Sequence, residues 1–230
     1  MNFQSAAMAS ADPQGLDLVR RRLSSEVDLQ PQDIALLDEA CVPANSRAEG
    51  SDLTHQAGPL FLTSGWACRL RELGSHGRQI LGFVLPGDAI GLRDGEPEPG
   101  YRTLALTRVF MLDGTALESR LRAKPDSHRN LASALLVAER AEHHRHLDHT
   151  VRLGALGAYD AMRHFLLELH DRLQAVGLAR RGRFDLPVAQ YVLGDALGIS
   201  EVHANRVLAQ MRREGLLELG PGWAQLAERA

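Results

Sequence analysis

Three regimes of apolar and polar spacing follow one another along this chain. PQDIALLDEACV, residues 31–42, places apolar residues at helical spacing behind a proline and predicts a short helix. From about Gly58 the apolar runs shorten. PLFLTSGWACRLREL, RQILGFVLPGDAIGL and YRTLALTRVFML read as strands, with turn signals in GSHG at 74–77 and in Pro86-Gly87. Short apolar runs broken by Gly and Pro at this spacing predict an antiparallel sandwich or barrel. RDGEPEPG, residues 93–100, reads as a polar loop between two of these strands.

From about Ser127 the period becomes helical. NLASALLVAERAEHHRHLDHTVRLG, residues 130–154, is one long helix that GALG at 154–157 interrupts as a hinge. AYDAMRHFLLELHDRLQAVG follows, with Met162, Phe165, Leu166, Leu169 and Leu173 on one face and Gly177 as its stop. LARRGRF is a basic loop, and the chain closes with helix, turn, helix and a short hairpin around GPG at 220–222. A long helix between two units must bury its apolar stripe. Pairing with its own copy is the simplest solution, along Leu131, Leu135, Ala138 and Leu147.

VAQYVLGDALGISEVHANRVLAQM fits a helix-turn-helix. The first helix ends at Leu197, Gly198 allows the tight turn, and Ser200 caps the second helix. Val207, Leu208 and Met211 face Leu193, Ala196 and Leu197, which turns Glu201, Val202, Asn205 and Arg206 outward. In such a motif that outer N-terminal end reads base edges in the major groove. Arg206 suits guanine O6 and N7, and Asn205 suits adenine or another base edge. Ser200 and His203 suit phosphates beside the helix N-terminus. A helical hairpin with a polar outer face would carry much the same pattern, so the motif draws its weight from its place after the strands and the long helix.

Bulk composition narrows the function without deciding it. The 230 residues carry a net charge of −3 and are 44% hydrophobic, ordinary values for one or two globular domains. Residues 151–230 hold ten Arg against nine Asp and Glu, so a basic face there must come from arrangement. All but one of the 26 cations are Arg, the exception being Lys124; Arg forks onto phosphate and guanine. Two cysteines, Cys41 and Cys68, fit a reducing, cytoplasmic setting without a disulfide framework and cannot supply the thiolates of an iron–sulfur cluster. No apolar stretch is long enough for a membrane span. MNFQSAAMASADPQG lacks a basic start and a long apolar core, and is expected to be a disordered tail rather than a signal peptide. No nucleophile elbow, HExxH pair or phosphate-cradling loop is present, so the chain reads as no enzyme.

SGWACR, GRQILGFVLPGD, the LG closing the long helix and LPVAQYVLGDALGISEVHANRVLAQMRREGLLEL, in this order, resemble the Crp/Fnr superfamily of bacterial transcription regulators. The resemblance spans about residues 28–226 and is nearer to FixK-like branches than to the cyclic-AMP receptor. It implies an α+β fold: an N-terminal antiparallel β-barrel of the jelly-roll, cyclic-nucleotide-binding-like kind, a long dimerisation helix and a C-terminal winged helix-turn-helix. The implied divisions are a tail over 1–27, the barrel over 28–126, the helix over 127–154 and the DNA-binding domain over 155–230. A homodimer on a twofold-symmetric promoter site, with RNA polymerase as a further partner, is implied with it. Carried over by residue, Ser200 and His203 contact backbone, while Glu201, Asn205 and Arg206 face bases. Two positions depart from the family pattern. Val202 stands where a Glu usually accepts from cytosine, which leaves a thymine methyl as its contact. Ala189, Gln190 and Tyr191 stand where Thr and acidic residues usually open the first helix; a cap worth about 1 kcal/mol is lost there, and Gln190 remains to meet phosphate.

Relatives that bind cyclic nucleotides use a Gly-Glu pair and an Arg-Ser or Arg-Thr pair. Gly87-Asp88 and Arg102-Thr103 are the counterparts here, and they define a candidate effector site. The alternative function is thus a ligand-gated regulator whose barrel holds a cyclic nucleotide, haem or another small effector. No cofactor or metal is assigned. His143, His146 and His149 share a helical face, which a solvated or dimer-facing helix explains, and Cys68 is a redox candidate only if exposed with a lowered pKa.

Overall fold

The computed structural model describes residues 13–54, 58–92, 99–124 and 126–227. Helices α1 (Pro13–Ser24) and α2 (Pro31–Ala40) precede strands β1 (Val42–Pro43), β2 (Leu60–Ser64), β3 (Ala67–Glu72), β4 (Arg78–Val84), β5 (Ala89–Ile90), β6 (Tyr101–Ala105) and β7 (Phe110–Asp113). Helices α3 (Thr115–Ala123), α4 (Arg129–Ala155) and α5 (Ala158–Ala175) follow. The chain ends with β8 (Ala179–Arg180), β9 (Arg183–Asp185), α6 (Gln190–Leu197), α7 (Glu201–Arg213), β10 (Leu217–Gly220) and β11 (Trp223–Leu226).

The first strands form two antiparallel sheets, ordered β1-β7-β2-β5 and β4-β3-β6. Strand alternation sends Leu60, Leu62, Ala67, Val84, Ala105 and Met111 into the space between them, where they pack with Leu53, Ile90 and Val109. The expected sandwich or barrel is therefore two facing sheets of jelly-roll type, and strand pairing among the described residues does not close them into one ring. Of the expected polar loop at 93–100, residues 93–98 lie outside the described residues.

Each sheet is covered on its outer side. α1, α2 and the start of α4 pack over Phe61 and Leu112 through Leu16, Val19, Leu23, Leu37 and Leu131. On the other side Trp66, Cys68, Leu70, Ile80, Phe83 and Leu85 share one continuous core with α5, α6, α7 and the C-terminal sheet, whose order is β10-β11-β9-β8. Phe83 of β4 stacks on Phe165 of α5 with centroids 5.4 Å apart.

Two expectations need correction. The tail was expected to be disordered to residue 27, but a helix begins at Pro13 and buries Leu16, Val19 and Leu23 at helical spacing. The run Arg20-Arg21-Arg22 interrupts that apolar pattern and hides it in the sequence. Residues 1–12 lie outside the described residues. The expected pairing stripe on the long helix is also divided. Leu131 is buried, and Leu135 and Ala138 pack against the same intramolecular core, whereas Leu147 is 52% exposed. The outward apolar face is Leu136, Leu147 and Val151, at spacings that share one side of the helix. The helix passes through Gly154 and ends at Ala155, and the break falls at Leu156 and Gly157, inside the hinge expected at 154–157.

Candidate nucleic-acid interface

Helices α6 and α7 meet across a left-handed Gly198, φ 64°. A side chain there would be strained whatever the surrounding space. A second glycine, Gly194, lets the helices approach closely, since a Cβ at that position would lie 2.8 Å from the Ile199 carbonyl oxygen. Gly194 inside a helical pattern costs about 1 kcal/mol against Ala, and that cost was the signal available in the sequence. Ser200 adopts extended dihedrals, and its Oγ accepts from the His203 backbone N–H at 3.3 Å. Ala189 stands at the N-cap of α6 and offers no side-chain cap, in line with the missing Thr.

Val192, Leu193, Ala196 and Leu197 of α6 are buried against Ala204, Val207, Leu208 and Met211 of α7. That packing fixes the opposite face. Glu201, Val202, His203, Asn205 and Arg206 are all exposed, and Val202 is 60% exposed, a high value for an aliphatic side chain. Ser200 is exposed beside them, and these six residues share the N-terminal end of α7. Gln190 is also exposed but stands at the far end of α6, its first residue.

Further cations gather around this motif. LARRGRF is the β8–β9 hairpin rather than an irregular loop, with Arg181 at φ 52° and Arg180, Arg181 and Arg183 exposed. The Arg183 guanidinium lies 3.9 Å over the Trp223 ring of β11. Arg212 and Arg213 close α7 beside the β10–β11 hairpin, where they line an open groove with Trp223.

The candidate effector residues have protein partners. Asp88 is buried, accepts from the Leu85 backbone N–H at 2.8 Å, and pairs with Arg22 at 3.3 Å and with Arg172. Burial alone would raise its carboxyl, but Arg172, Arg22 and Arg145 outweigh burial and hold it well below the usual range. Gly87 takes φ 94° and abuts Val176, Arg22 and Leu18, leaving no room for a side chain. Arg102 forks onto Asp52 at 2.7 and 3.1 Å and reaches Glu72 at 2.7 Å. Thr103 is buried, and its backbone N–H donates to Thr54 Oγ1 at 3.0 Å. Asp88 and Arg102 are therefore held by separate sets of partners.

Cys68 is fully buried, and burial pushes its thiol up to about 11, the opposite of a redox thiol. The histidines separate as well. His143 is exposed and His146 half-buried, while His149 is buried with Nε2 3.1 Å from the Ile80 carbonyl oxygen. Burial, then the Arg152 charge, push His149 down, which favours a neutral ring. Among the described residues no three His, Cys, Asp or Glu side chains are arranged to hold a metal.

Residues 162–228 match the Crp-like helix-turn-helix domain. Over 205 residues the chain is 26% identical to the nitrogen fixation regulation protein FixK of Azorhizobium caulinodans, covering 86% of this chain and 79% of that one. FixK2 from Bradyrhizobium japonicum superposes with a TM-score of 0.67 at 27% identity, over 82% of this chain and 93% of that structure. In sequence and in fold the chain is similar to Crp/Fnr regulators. A third relative is the transcriptional activator protein FnrA of Stutzerimonas stutzeri, 25% identical over 84% of this chain and 80% of that one. A Crp-like helix-turn-helix and this similarity to FixK mark the chain as a DNA-binding transcription regulator. No described helix is long and apolar enough to cross a membrane.

Proposed function

We propose that this Crp/Fnr-like regulator binds a twofold-symmetric promoter site as a homodimer, with the N-terminal half of α7 in the major groove. The observation that carries the reading is the outward cluster of Glu201, Val202, Asn205 and Arg206 on a helix whose other face is locked in the core. Arg206 forks onto guanine, Asn205 takes an adjacent base edge, and Val202 packs on a thymine methyl. Ser200, His203 and Gln190 touch phosphates, and Arg183, Arg212 and Arg213 supply further positive charge beside the groove. The homodimer pairs through the outward face of α4. The two-sheet unit before α4 serves as the sensor-like domain, and the chain after Leu156 as the winged DNA-binding domain.

RNA polymerase contact, supported by the activator among its relatives, belongs to the same reading, as does a cytoplasmic location. A nucleotide held by Arg102 and Thr103 is not part of it, because Arg102 is held by Asp52 and Glu72. The test is fluorescence anisotropy with duplex DNA from the protein's own upstream regions. Saturable binding that weakens steeply with salt and strongly prefers one duplex over a scrambled one is expected. Equal affinity for both duplexes would contradict sequence-specific binding.

A further inference from the structure

The helix-turn-helix is gripped at its turn by the two-sheet unit. Gln79, near the start of β4, donates from Nε2 to the carbonyl oxygens of Asp195 at 2.9 Å and Ala196 at 3.1 Å. These belong to the last turn of α6, where a helix leaves its carbonyls without internal partners. The motif's own Gly198 and Ile199 N–H groups cap the Gly194 carbonyl, and the neighbouring unit adds a partner for the next two carbonyls. Next to it, Arg78 reaches Asp195 Oδ2 through both Nε and a terminal nitrogen, each at 2.9 Å. Gly198, in the turn itself, faces Gln79 Oε1 and the Leu153 side chain at the end of α4, each 3.6 Å from where its Cβ would stand.

This grip lies at one end of the continuous core that β3 and β4 share with α5, α6 and α7. Toward the other end Phe83 stacks on Phe165, and Arg172 of α5 donates to the Phe83 carbonyl oxygen at 2.8 Å. Phe83 and Gln79 are four residues apart on one strand, about 13 Å. A domain held at one patch can rock about it, whereas one held at two patches that far apart cannot. The recognition face of α7 stays exposed while both contacts are made, so the grip presents the helix rather than hiding it.

We propose that Arg78 and Gln79 are positioning residues that set the half-site spacing this regulator accepts. Two recognition helices on one duplex must match its helical repeat, and one base pair turns the half-sites by about 34° relative to each other. A domain fixed at two points cannot follow that rotation; a domain freed at the turn can. The inference rests on the DNA-binding reading above.

The test uses the full-length chain and three duplexes. The first carries the palindrome that the wild type enriches from a randomised pool, and the others add or remove one central base pair. The wild type is expected to lose about tenfold or more in affinity on the altered spacings, a penalty comparable to a mismatched base pair. The variant Arg78→Ala/Gln79→Ala is expected to lose less than about threefold on them, while keeping the base preferences within each half-site. Arg78→Glu with Asp195→Arg restores the ion pair in reverse and recovers strict spacing, whereas Arg78→Glu alone does not. Gln79→Ala alone, which removes only the carbonyl contacts, falls between. A double variant as strict as the wild type would overturn the proposal. So would one that loses affinity equally on all three duplexes, since that reports general loosening. If the wild type enriches no palindrome, the DNA-binding reading falls and takes this inference with it; enrichment without a difference between wild type and variant removes the inference alone.

Discussion

Asp88 and Arg172 form an ion pair in which each side chain is only 9% exposed, and it joins the turn after β4 to α5. Arg172 also meets Glu168 at 3.3 Å, and Glu168 pairs at 2.6 Å with Arg152 of α4, whose side chain is nearly inaccessible. Charged groups thus link the two-sheet unit, the long helix and the helix-turn-helix domain where all three meet. Removing one member of a buried pair leaves its partners uncompensated, which typically costs about 3–5 kcal/mol. Asp88→Asn is expected to lower stability by that order in urea unfolding. The pH dependence follows from the depressed carboxyl. Its contribution is present above the unfolded-state value of about 4 and is lost as pH falls below it toward the folded-state value. The wild type should therefore lose stability on acidification below about pH 4, and Asp88→Asn should lack that share of the loss. An Asp88→Asn protein as stable as the wild type at neutral pH would contradict the buried network.

The two thiols should be inert in the folded protein. Burial, aided by Asp113 and Asp38, pushes Cys41 up to about 12, and burial pushes Cys68 up to about 11. A thiol-specific reagent at pH 8 is expected to label both only at the rate of unfolding, and to label urea-unfolded protein rapidly. Fast labelling of native Cys68 would reopen a redox role for it.

Leu147 and Val151 project from the outer face of α4, 52% and 57% exposed in the single chain. Introducing Glu at both positions is expected to leave the fold intact by circular dichroism and to give a monomer in sedimentation equilibrium. Leu131→Ala, on the inner face, should instead cost about 2–5 kcal/mol of stability without disrupting pairing directly. A double Glu variant that stays dimeric would move the interface elsewhere.

The sequence carried the helix-turn-helix almost whole, because its signals are local. An αL glycine, a serine cap and apolar residues at helical spacing all sit within one short stretch. The outer residues of α7 follow from that periodicity, Ser200 and His203 from the helix start, and Gln190 only from the resemblance to the Crp/Fnr pattern. The long-range features were not legible. Nothing adjacent to Asp88 announces Arg22 or Arg172, which arrive from helices far away in the chain. Arg102 beside a hydroxyl residue resembled a phosphate site because Asp52 and Glu72, its partners, come from other segments. The α4 stripe reads as one face in the sequence because periodicity reports which residues are apolar, not which of two neighbours they meet. The helix at 13–24 does not stand out there because three consecutive arginines lie between buried Val19 and Leu23.

Ser200 caps α7, and the proposed groove-reading pose sets it against a phosphate. Ser200→Ala is expected to cost about 1 kcal/mol of stability and to weaken DNA binding evenly across sequences. Comparing its affinities for the selected palindrome and for unrelated duplex checks this. A loss confined to the selected sequence would instead mean that Ser200 reads a base.

Arg206 offers the sharpest test of α7 as the groove-reading helix. Base preference at every half-site position is measured for the wild type and Arg206→Ala by competitive binding to single-substitution duplexes. A guanine contact by Arg206 predicts a loss of about 1–3 kcal/mol on the selected site and a flattened preference at one base pair per half-site, with the others retained. Undiminished preference at every position, or a uniform loss across all duplexes, would contradict it.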